Sequence, residues 1–395
     1  MVSFKRGLTM LVIKNANVIF TDKIRNATVI CDNGKIVDIV ERYQENENDN
    51  VIDANGNYLS PGFIDIHVHG GGNKSAMSTN YRDIIDMAEA HLKHGTTSIV
   101  PTTLASPIAQ LKDVTLSIKE ASEKSKKANI LGLHYEGPYI SLKYKGAQSP
   151  ENILNPVKNP PDELFELWDK ILIMGAAPEE DGCLELGDKL KKRNIVASIA
   201  HSAASFETVE EAVKHGYSDV THIYNACTSC FKNGIFRVAG VVEAGLVLDE
   251  ITTQVIGDLR HLPKGLLQLI YKAKGVEKMY LITDGLEFSA SDIKENTVYT
   301  QENGMGVIFE DGAMKLSDRS ALAGSVATLK DCVRNMYKEV KIPLYEAMRM
   351  ASLTPAEVIG FGNKKGKIEK GYDADLIIFD DNINIKSVIT NGNIL

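Results

Sequence analysis

The chain has 395 residues, of which 44% are hydrophobic and 24% charged, and its formal net charge is −8. This composition is ordinary for a globular protein, and the length allows one large α/β domain plus an accessory module. A net negative chain lacks the basic footprint that nucleic acids and anionic membranes require, so neither is expected as a partner.

The cysteines and the N-terminus bear on the compartment. Five scattered cysteines fit a reducing environment better than a disulfide framework. Cys227 and Cys230 have a redox or zinc spacing, but without a second pair we interpret them as two buried thiols. No apolar run of signal length follows Lys5 and Arg6, and no segment reaches the roughly 18 uninterrupted apolar residues of a membrane span. We therefore expect a cytoplasmic protein.

Both ends of the chain carry β signals. Short strands are predicted at 11–13, 17–20, 27–30 and 35–39, with Asp32-Asn33-Gly34 as a hairpin turn. Similar patterns return at 366–368, 374–379 and 385–389. We predict that the two stretches form one small discontinuous β-sandwich domain, residues 1–60 plus 363–395.

Between these ends, apolar strands alternate with helical patterns. The predicted strands are 63–69, 96–103, 130–136, 171–177, 195–201, 219–222, 251–258 and 278–284. Helices are predicted at 81–94 and at 205–215, the latter with Ser205 as N-cap and Gly216 as stop signal. Eight strand–helix units with near-continuous apolar strands predict a TIM-like (β/α)8 barrel over residues 61–362.

The first of these strands carries an H-x-H pattern at its carboxyl end. Because side chains alternate along a strand, His67 and His69 point to the same side. Such a fork of imidazoles suits a metal that stays open to substrate on one side. Taken alone, the stretch is equally compatible with an edge strand that turns two polar residues outward.

Polar residues recur at the carboxyl ends of the strands, where barrel enzymes keep their reactive groups. They are His67, His69, Glu136, His201, His222 and Asp284. Any one of them could be a satisfied core histidine or a capping carboxylate, but six in register indicate ligands for one or two divalent ions. His261 follows the seventh strand in a loop on the same rim, from which it can reach a substrate.

The other histidines receive more modest interpretations. His134 lies two residues before Glu136 on the same strand face, where it could orient a ligand. His91, His94 and His215 fall in helical patterns or at their ends, which favours surface or packing roles.

Several motifs together carry a family resemblance. They are PGFIDIHVHGGG (61–72), GTTSIVPTT (95–103), GLHYEGPYIS (132–141), KGAQ (145–148), APEE (177–180), AHS (200–202), THIYNA (221–226), ITDG (282–285), AGS (323–325) and GYDADLIIFD (371–380). In these motifs the chain resembles the amidohydrolase superfamily and, within it, the N-acetylglucosamine-6-phosphate deacetylase family. GLHYEGP and THIYNA are the parts more specific to the deacetylases.

The resemblance implies roles for individual residues. Glu136, His201 and His222 match the main metal ligands, His67 and His69 make a second ion plausible, and Asp284 matches the catalytic aspartate beside the metal. His261 matches a histidine that contacts the substrate. The implied substrate-binding residues are Gly137, Gln148, Asn225, Ala226 and Ala323.

The implied reaction is metal-dependent removal of the acetyl group from N-acetylglucosamine-6-phosphate, a small amino-sugar substrate, by a homodimer. The cofactor is one or two divalent ions, and the ligand types leave zinc, iron, manganese and cobalt open.

Two departures from the family pattern keep alternatives open. The family's phosphate-binding arginine run after THIYNA is missing, so that Lys232 or Arg237 would have to replace it, and Glu287 adds a carboxylate after Asp284. The alternatives are deacetylation of N-acetylgalactosamine-6-phosphate or of an unphosphorylated N-acyl amino sugar, another amidohydrolase reaction, or a non-enzymatic scaffold.

Overall fold

The computed structural model describes residues 10–44, 46–301, 304 and 306–395. The sequence prediction about Lys5 and Arg6 lies outside these residues. Within them, no helix is long and apolar enough to cross a membrane.

A parallel sheet forms the centre of the molecule, and its main strands neighbour one another in chain order. These strands are Phe63–Val68, Thr96–Thr103, Leu133–Tyr139, Ile171–Ala176, Val196–Ile199, Tyr217–Val220, Thr252–Ile256 and Met279–Ile282. A two-residue strand, Asn129–Ile130, pairs with Thr96–Thr103. The predicted α/β class with eight strands in this region is confirmed.

The strands are buried on both faces, as their continuous apolar runs predict. Every residue of Phe63–Val68, Thr96–Thr103 and Leu133–Tyr139 is buried. The alternative in which the H-x-H strand turns its histidines to solvent is therefore wrong.

Helices connect and cover the strands, and their apolar faces join the strands in the largest hydrophobic cluster. The helices are Tyr81–Leu92, Ile108–Lys124, Asp162–Phe165, Cys183–Lys192, Phe206–Lys214, Val241–Val247, Lys264–Lys278, Leu329–Asn335, Leu344–Met350 and Leu353–Val358. The predicted N-cap is confirmed, because Ser205 Oγ accepts a hydrogen bond from the amide of Thr208 at 3.3 Å.

A second sheet combines strands from both ends of the chain. Its eight strands are Leu11–Ile19, Ile24–Asp32, Lys35–Val40, Asn50–Asp53, Tyr58–Pro61, Leu376–Phe379, Ile385–Thr390 and Asn393–Ile394. The two strands predicted at 11–13 and 17–20 are one strand with a register shift between Ile13 and Ala16. The hairpin turn is at the predicted place, with Asn33 at φ 46° and Gly34 at φ 75°.

Several β elements were not predicted, among them the short strands Asn50–Asp53, Tyr58–Pro61, Gly70–Gly71 and Lys74–Ser75. A four-stranded antiparallel sheet follows the last parallel strand, and an exposed hairpin follows the sixth. Their strands are Thr297–Thr300, Gly306–Glu310, Ala313–Leu316 and Leu322–Gly324, and Phe231–Asn233 and Phe236–Val238. They are short and only partly buried, so their sequences lack the apolar runs that revealed the central strands.

Backbone hydrogen bonds join the carboxyl ends of the first and the last parallel strand. The amide of Asp284 donates to the carbonyl of His67 at 2.9 Å, and the amide of His69 donates to the carbonyl of Gly285 at 2.8 Å. These bonds hold Asp284 directly beside the H-x-H pair.

Candidate functional site

Glu136 lies at the centre of a buried cluster at the carboxyl ends of the strands. Its Oε1 is 2.8 Å from His222 Nε2 and 3.1 Å from His201 Nε2. Its Oε2 is 3.3 Å from His69 Nε2. Two groups able to hold a metal ion therefore share this carboxylate, one with His201 and His222 and the other with His67 and His69.

The H-x-H pair faces the same cluster from the first strand. The Nε2 atoms of His67 and His69 are 3.2 Å apart. Asp284 Oδ1 is 3.2 Å from His69 Nε2 and 3.5 Å from His67 Nε2. The structure thus brings together all six residues that the sequence predicts as metal ligands.

The chemistry of this donor set fits a cation. Three of the histidines donate their Nδ1–H to fixed acceptors on the protein, so that each turns its Nε2 toward the cluster, where it can bind a metal ion once that atom carries no proton. The donor–acceptor pairs are His67 with Gln254 Oε1 (2.7 Å), His69 with the Thr102 carbonyl (3.1 Å) and His201 with the Tyr144 carbonyl (2.9 Å). Lone pairs that face one another and two carboxylates repel unless a positive charge lies between them.

The pKa values of the buried residues also indicate that the cluster attracts positive charge. Burial lowers the pKa of His67 to about 4. For His69 burial acts in the same direction, but the adjacent Asp284 and Glu136 carboxylates outweigh it and raise its pKa to about 10. Burial alone would raise the pKa of both carboxyls, yet His201 and His67 hold that of Glu136 well below its usual range, and His69 lowers that of Asp284 to about 2. Both carboxylates are therefore ionised and attract a cation.

Three of the cluster residues have strained backbones. His201, His222 and Asp284 have φ values of 47°, 26° and 49°. A left-handed conformation costs a non-glycine residue roughly 1 to 2 kcal/mol, and such strain is typical of functional sites. Each of these three residues lies just after the end of a parallel strand, and its left-handed backbone turns the side chain toward the cluster.

The cluster opens into a cavity of about 330 Å³. His261, Asn225, Ala226 and Ala323 are among the residues that line it. Gln148 also lines it, and its Nε2–H donates to Glu136 Oε2 at 2.8 Å. Four of the predicted substrate-binding residues therefore lie beside the cluster.

A second cavity, of about 710 Å³, adjoins the first. His69 and Gln148 line both cavities, and Glu287 lines only the larger one. The additional carboxylate after Asp284 therefore lies on the side away from Asn225 and Ala226.

His261 is held by a carboxylate that the sequence analysis did not single out. Its Nδ1–H donates to Asp258 Oδ2 at 2.7 Å, which leaves Nε2 as the ring atom available to a substrate. Burial would raise the pKa of Asp258, but His261 outweighs it and lowers that pKa. A carboxylate at the end of the seventh strand, three residues before a rim histidine, was the signal that could have identified Asp258.

Three predicted substrate-binding residues are not among the described residues that line the two cavities. Lys232 and Arg237 pair with each other across the exposed hairpin. Gly137 follows Glu136 with φ 93° and forms a cis peptide bond with Pro138.

The remaining cysteine and histidine predictions have mixed outcomes. The interpretation of two buried thiols is wrong for Cys230, which is exposed, and Cys227 is only partly buried. His134 packs edge-on against the ring of His67 at 4.7 Å, so it neighbours a predicted metal ligand, and its orienting role stays a prediction. His91 is a packing residue, whose Nε2 is 2.8 Å from the carbonyl of Gly70.

The fold and the site define the class of protein. A model of the amidohydrolase family matches residues 58–395, and the chain belongs to this family. Its relatives narrow the class further. The N-acetylglucosamine-6-phosphate deacetylase of Haemophilus influenzae is 34% identical over 95% of this chain and 97% of the relative. That of Bacillus subtilis is 33% identical over 97% and 96%.

A solved structure supports the same assignment. The N-acetylglucosamine-6-phosphate deacetylase from Pasteurella multocida superposes with a TM-score of 0.90 and 31% identity, covering 98% of this chain and 99% of that one. The similarity therefore includes the terminal sheet as well as the central one.

Proposed function

We propose that the chain hydrolyses the acetamide group of N-acetylglucosamine-6-phosphate and releases acetate and glucosamine-6-phosphate. The observation that carries this proposal is the convergence of four imidazole Nε2 atoms and two carboxylates at the bottom of a cavity of about 330 Å³. The near-full-length similarity to deacetylases of that substrate supports it.

Glu136, His201 and His222 would hold the main divalent ion, and His67 and His69 would hold a second one together with Glu136. Asp284 is within reach of the second ion. Such an ion acts as a Lewis acid on the amide carbonyl and lowers the pKa of water toward neutrality. Nitrogen and oxygen ligands of this kind serve zinc, iron, manganese and cobalt.

The remaining chemistry belongs to side chains. Asp284, whose pKa is lowered to about 2, is ionised at neutral pH and accepts the proton of the attacking water. It then delivers this proton to the sugar nitrogen, because an amine leaves far more easily than its anion. His261, oriented by Asp258, fixes the substrate through its Nε2.

Substrate recognition divides between two sides of the site. Gln148 and Ala323, which line the cavity of about 330 Å³, lie on the sugar side, and Asn225 and Ala226 contact the phosphate. The assignment of Gly137 to the substrate has no support from the described residues that line the two cavities. Arg237 or Lys232 of a second copy of the chain supplies the cation for the phosphate in a homodimer. Their exposure on the hairpin supports this arrangement.

The proposal extends to the domain organisation of the chain. We propose a closed (β/α)8 barrel over residues 61–362 and a small β domain from residues 1–60 plus 363–395. The backbone hydrogen bonds that join His67 to Asp284 and His69 to Gly285 support closure, and the sheet that unites both ends of the chain supports the small domain. We also propose a cytoplasmic location, which the absence of disulfides among the five cysteines supports.

An acetate-release assay tests the function. The purified chain is stripped with a chelator and assayed with N-acetylglucosamine-6-phosphate, N-acetylgalactosamine-6-phosphate and N-acetylglucosamine, with and without Zn²⁺, Fe²⁺, Mn²⁺ or Co²⁺. We expect metal-dependent acetate release, fastest with the first substrate. Faster release from either of the other two would assign the alternative substrate, and no release from any of them would refute the deacetylase function.

A further inference from the structure

A network of buried hydrogen bonds lies beneath the H-x-H pair. Asp219 is fully buried on the sixth parallel strand. Its Oδ1 accepts hydrogen bonds from Thr252 Oγ1 at 2.7 Å and Tyr280 OH at 3.0 Å. Its Oδ2 accepts from Ser198 Oγ and from Gln254 Nε2, both at 2.7 Å. Four donors, which lie on the fifth, seventh and eighth strands, thus converge on one carboxylate. Both of its oxygens are hydrogen-bonded within the protein, without solvent.

Gln254 connects this carboxylate to the candidate metal centre. Its Nε2–H donates to Asp219, and its Oε1 accepts the Nδ1–H of His67 at 2.7 Å. A carboxylate can only accept, so the amide has to present its nitrogen to Asp219 and its oxygen to His67. His67 is thereby fixed with its proton on Nδ1 and its Nε2 lone pair toward His69.

This arrangement distinguishes His67 from the other ligands. The Nδ1 atoms of His69 and His201 donate to backbone carbonyls, whose polarity cannot reverse. The partner of His67 is a side-chain amide, which can turn over and exchange its oxygen for its nitrogen. Whether the Gln254 amide presents its oxygen or its nitrogen to His67 therefore depends on Asp219.

We propose that Asp219 and Gln254 are positioning residues for the ion shared by His67, His69 and Glu136. They act through His67, because they fix the tautomer that can bind a metal. This inference rests on the metal site of the proposed function. It adds that the affinity for this ion is set from a buried carboxylate that touches neither the metal ligands nor the substrate cavity.

The substitution Asp219→Asn tests the direction of the network. Asparagine keeps the shape of the side chain but offers a donor as well as an acceptor. The amide of Gln254 is then free to turn its nitrogen toward His67, which favours the tautomer with the proton on Nε2. That tautomer has no lone pair on Nε2, the ring atom that faces His69, so His67 cannot bind the ion there, and loss of such a supporting hydrogen bond typically weakens metal binding about 10- to 100-fold.

The experiment titrates the metal-free full-length chain with Zn²⁺ alone by isothermal titration calorimetry. His67→Ala identifies the binding step that depends on His67. We expect Asp219→Asn and Gln254→Met to weaken that step about 10- to 100-fold. Thr252→Val is the matched control, because Thr252 donates to the carboxylate oxygen that Gln254 does not contact, and we expect it to stay within about threefold of the wild type.

A double variant separates positioning from a general structural role. If Asp219 acts through His67, Asp219→Asn adds no further loss in the His67→Ala background. Circular dichroism melts check folding, and Gln254→Met carries the test should Asp219→Asn fail to fold. If the wild type binds zinc, the metal site stands. Wild-type affinity in the folded variants, or a full additional loss in the His67→Ala background, would then overturn the inference alone. A wild type that binds no zinc would refute the metal site itself, and the inference with it.

Discussion

The substitution Asp284→Asn tests the proposed proton transfer most directly. Asparagine has the same size, but it cannot accept a proton from water. A general base contributes typically 10²- to 10⁴-fold to a rate, which corresponds to roughly 3 to 5 kcal/mol of the activation free energy. We therefore expect kcat for acetate release to fall at least about 100-fold.

Metal binding should survive this change. Asp284 contributes a single oxygen to the cluster, 3.2 Å from His69 Nε2, whereas Glu136 and the four histidines stay in place. Metal content, measured by inductively coupled plasma mass spectrometry, should remain near the wild-type value. KM should change less than kcat, because the residues that contact the sugar and the phosphate are untouched.

An exposed aspartate on the same segment provides the control. Asp292→Asn makes the same chemical change outside the cavity and should leave kcat unchanged. A metal-loaded Asp284→Asn chain that kept more than about a tenth of the wild-type kcat would remove Asp284 from the proton-transfer role.

Three further predictions concern other parts of the molecule. Asp258→Asn should reduce kcat/KM about tenfold or more without loss of metal, because His261 loses the carboxylate acceptor at 2.7 Å that fixes its ring. Steady-state kinetics that match the wild type would contradict this prediction. Arg237→Ala should raise KM for the phosphorylated sugar about tenfold while acetate release from the unphosphorylated sugar stays unchanged, and an equal effect on both substrates would argue against a phosphate contact. Lys365→Met should lower the free energy of unfolding at pH 7 by about 3 to 5 kcal/mol, because it leaves the buried Asp375 without its charge partner and leaves Asp373 with Lys35 alone. Burial would raise the pKa of Asp373, but Lys35 and then Lys365 outweigh it and lower that pKa in the folded chain. The part of the stabilisation that comes from Lys365 and Asp373 is therefore present above the unfolded pKa and is lost as the pH falls through the folded pKa, so in denaturant melts the difference between wild type and variant should shrink below about pH 4.

The elements predicted best are those whose sequence pattern has a single physical solution. Runs such as 96–103 favour strands buried on both faces, and the structure buries every residue of Thr96–Thr103. The four-stranded sheet that begins at Thr297 escaped prediction because its strands span only a few positions, and the first of them, Thr297–Thr300, alternates between partly buried and exposed residues. A pattern that short does not distinguish a strand from a loop.

The same reasoning explains which parts of the site the sequence could predict. Metal ligands are polar residues at the ends of apolar strands, so their position alone marked residues such as His222 and Glu136. The residues that orient these ligands carry no such signal. Gln254 and Asp219 lie inside apolar strands, and Thr102 and Tyr144 act through backbone carbonyls that every residue possesses. Their roles follow only from the distances between strands that are far apart in the sequence.

Glu136 links the metal centre to the substrate cavity more closely than the ligand pattern suggests. Its Oε1 faces His201 and His222, whereas its Oε2 faces His69 and accepts the amide proton of Gln148 at 2.8 Å. Gln148 itself is fixed at its other end, because its Oε1 accepts the amide of Ala105 at 3.0 Å. One carboxylate is therefore shared by both groups of metal ligands and by a residue that lines the cavity. In the proposed arrangement with two ions, this shared carboxylate would couple the binding of each ion to that of the other and to that of the substrate.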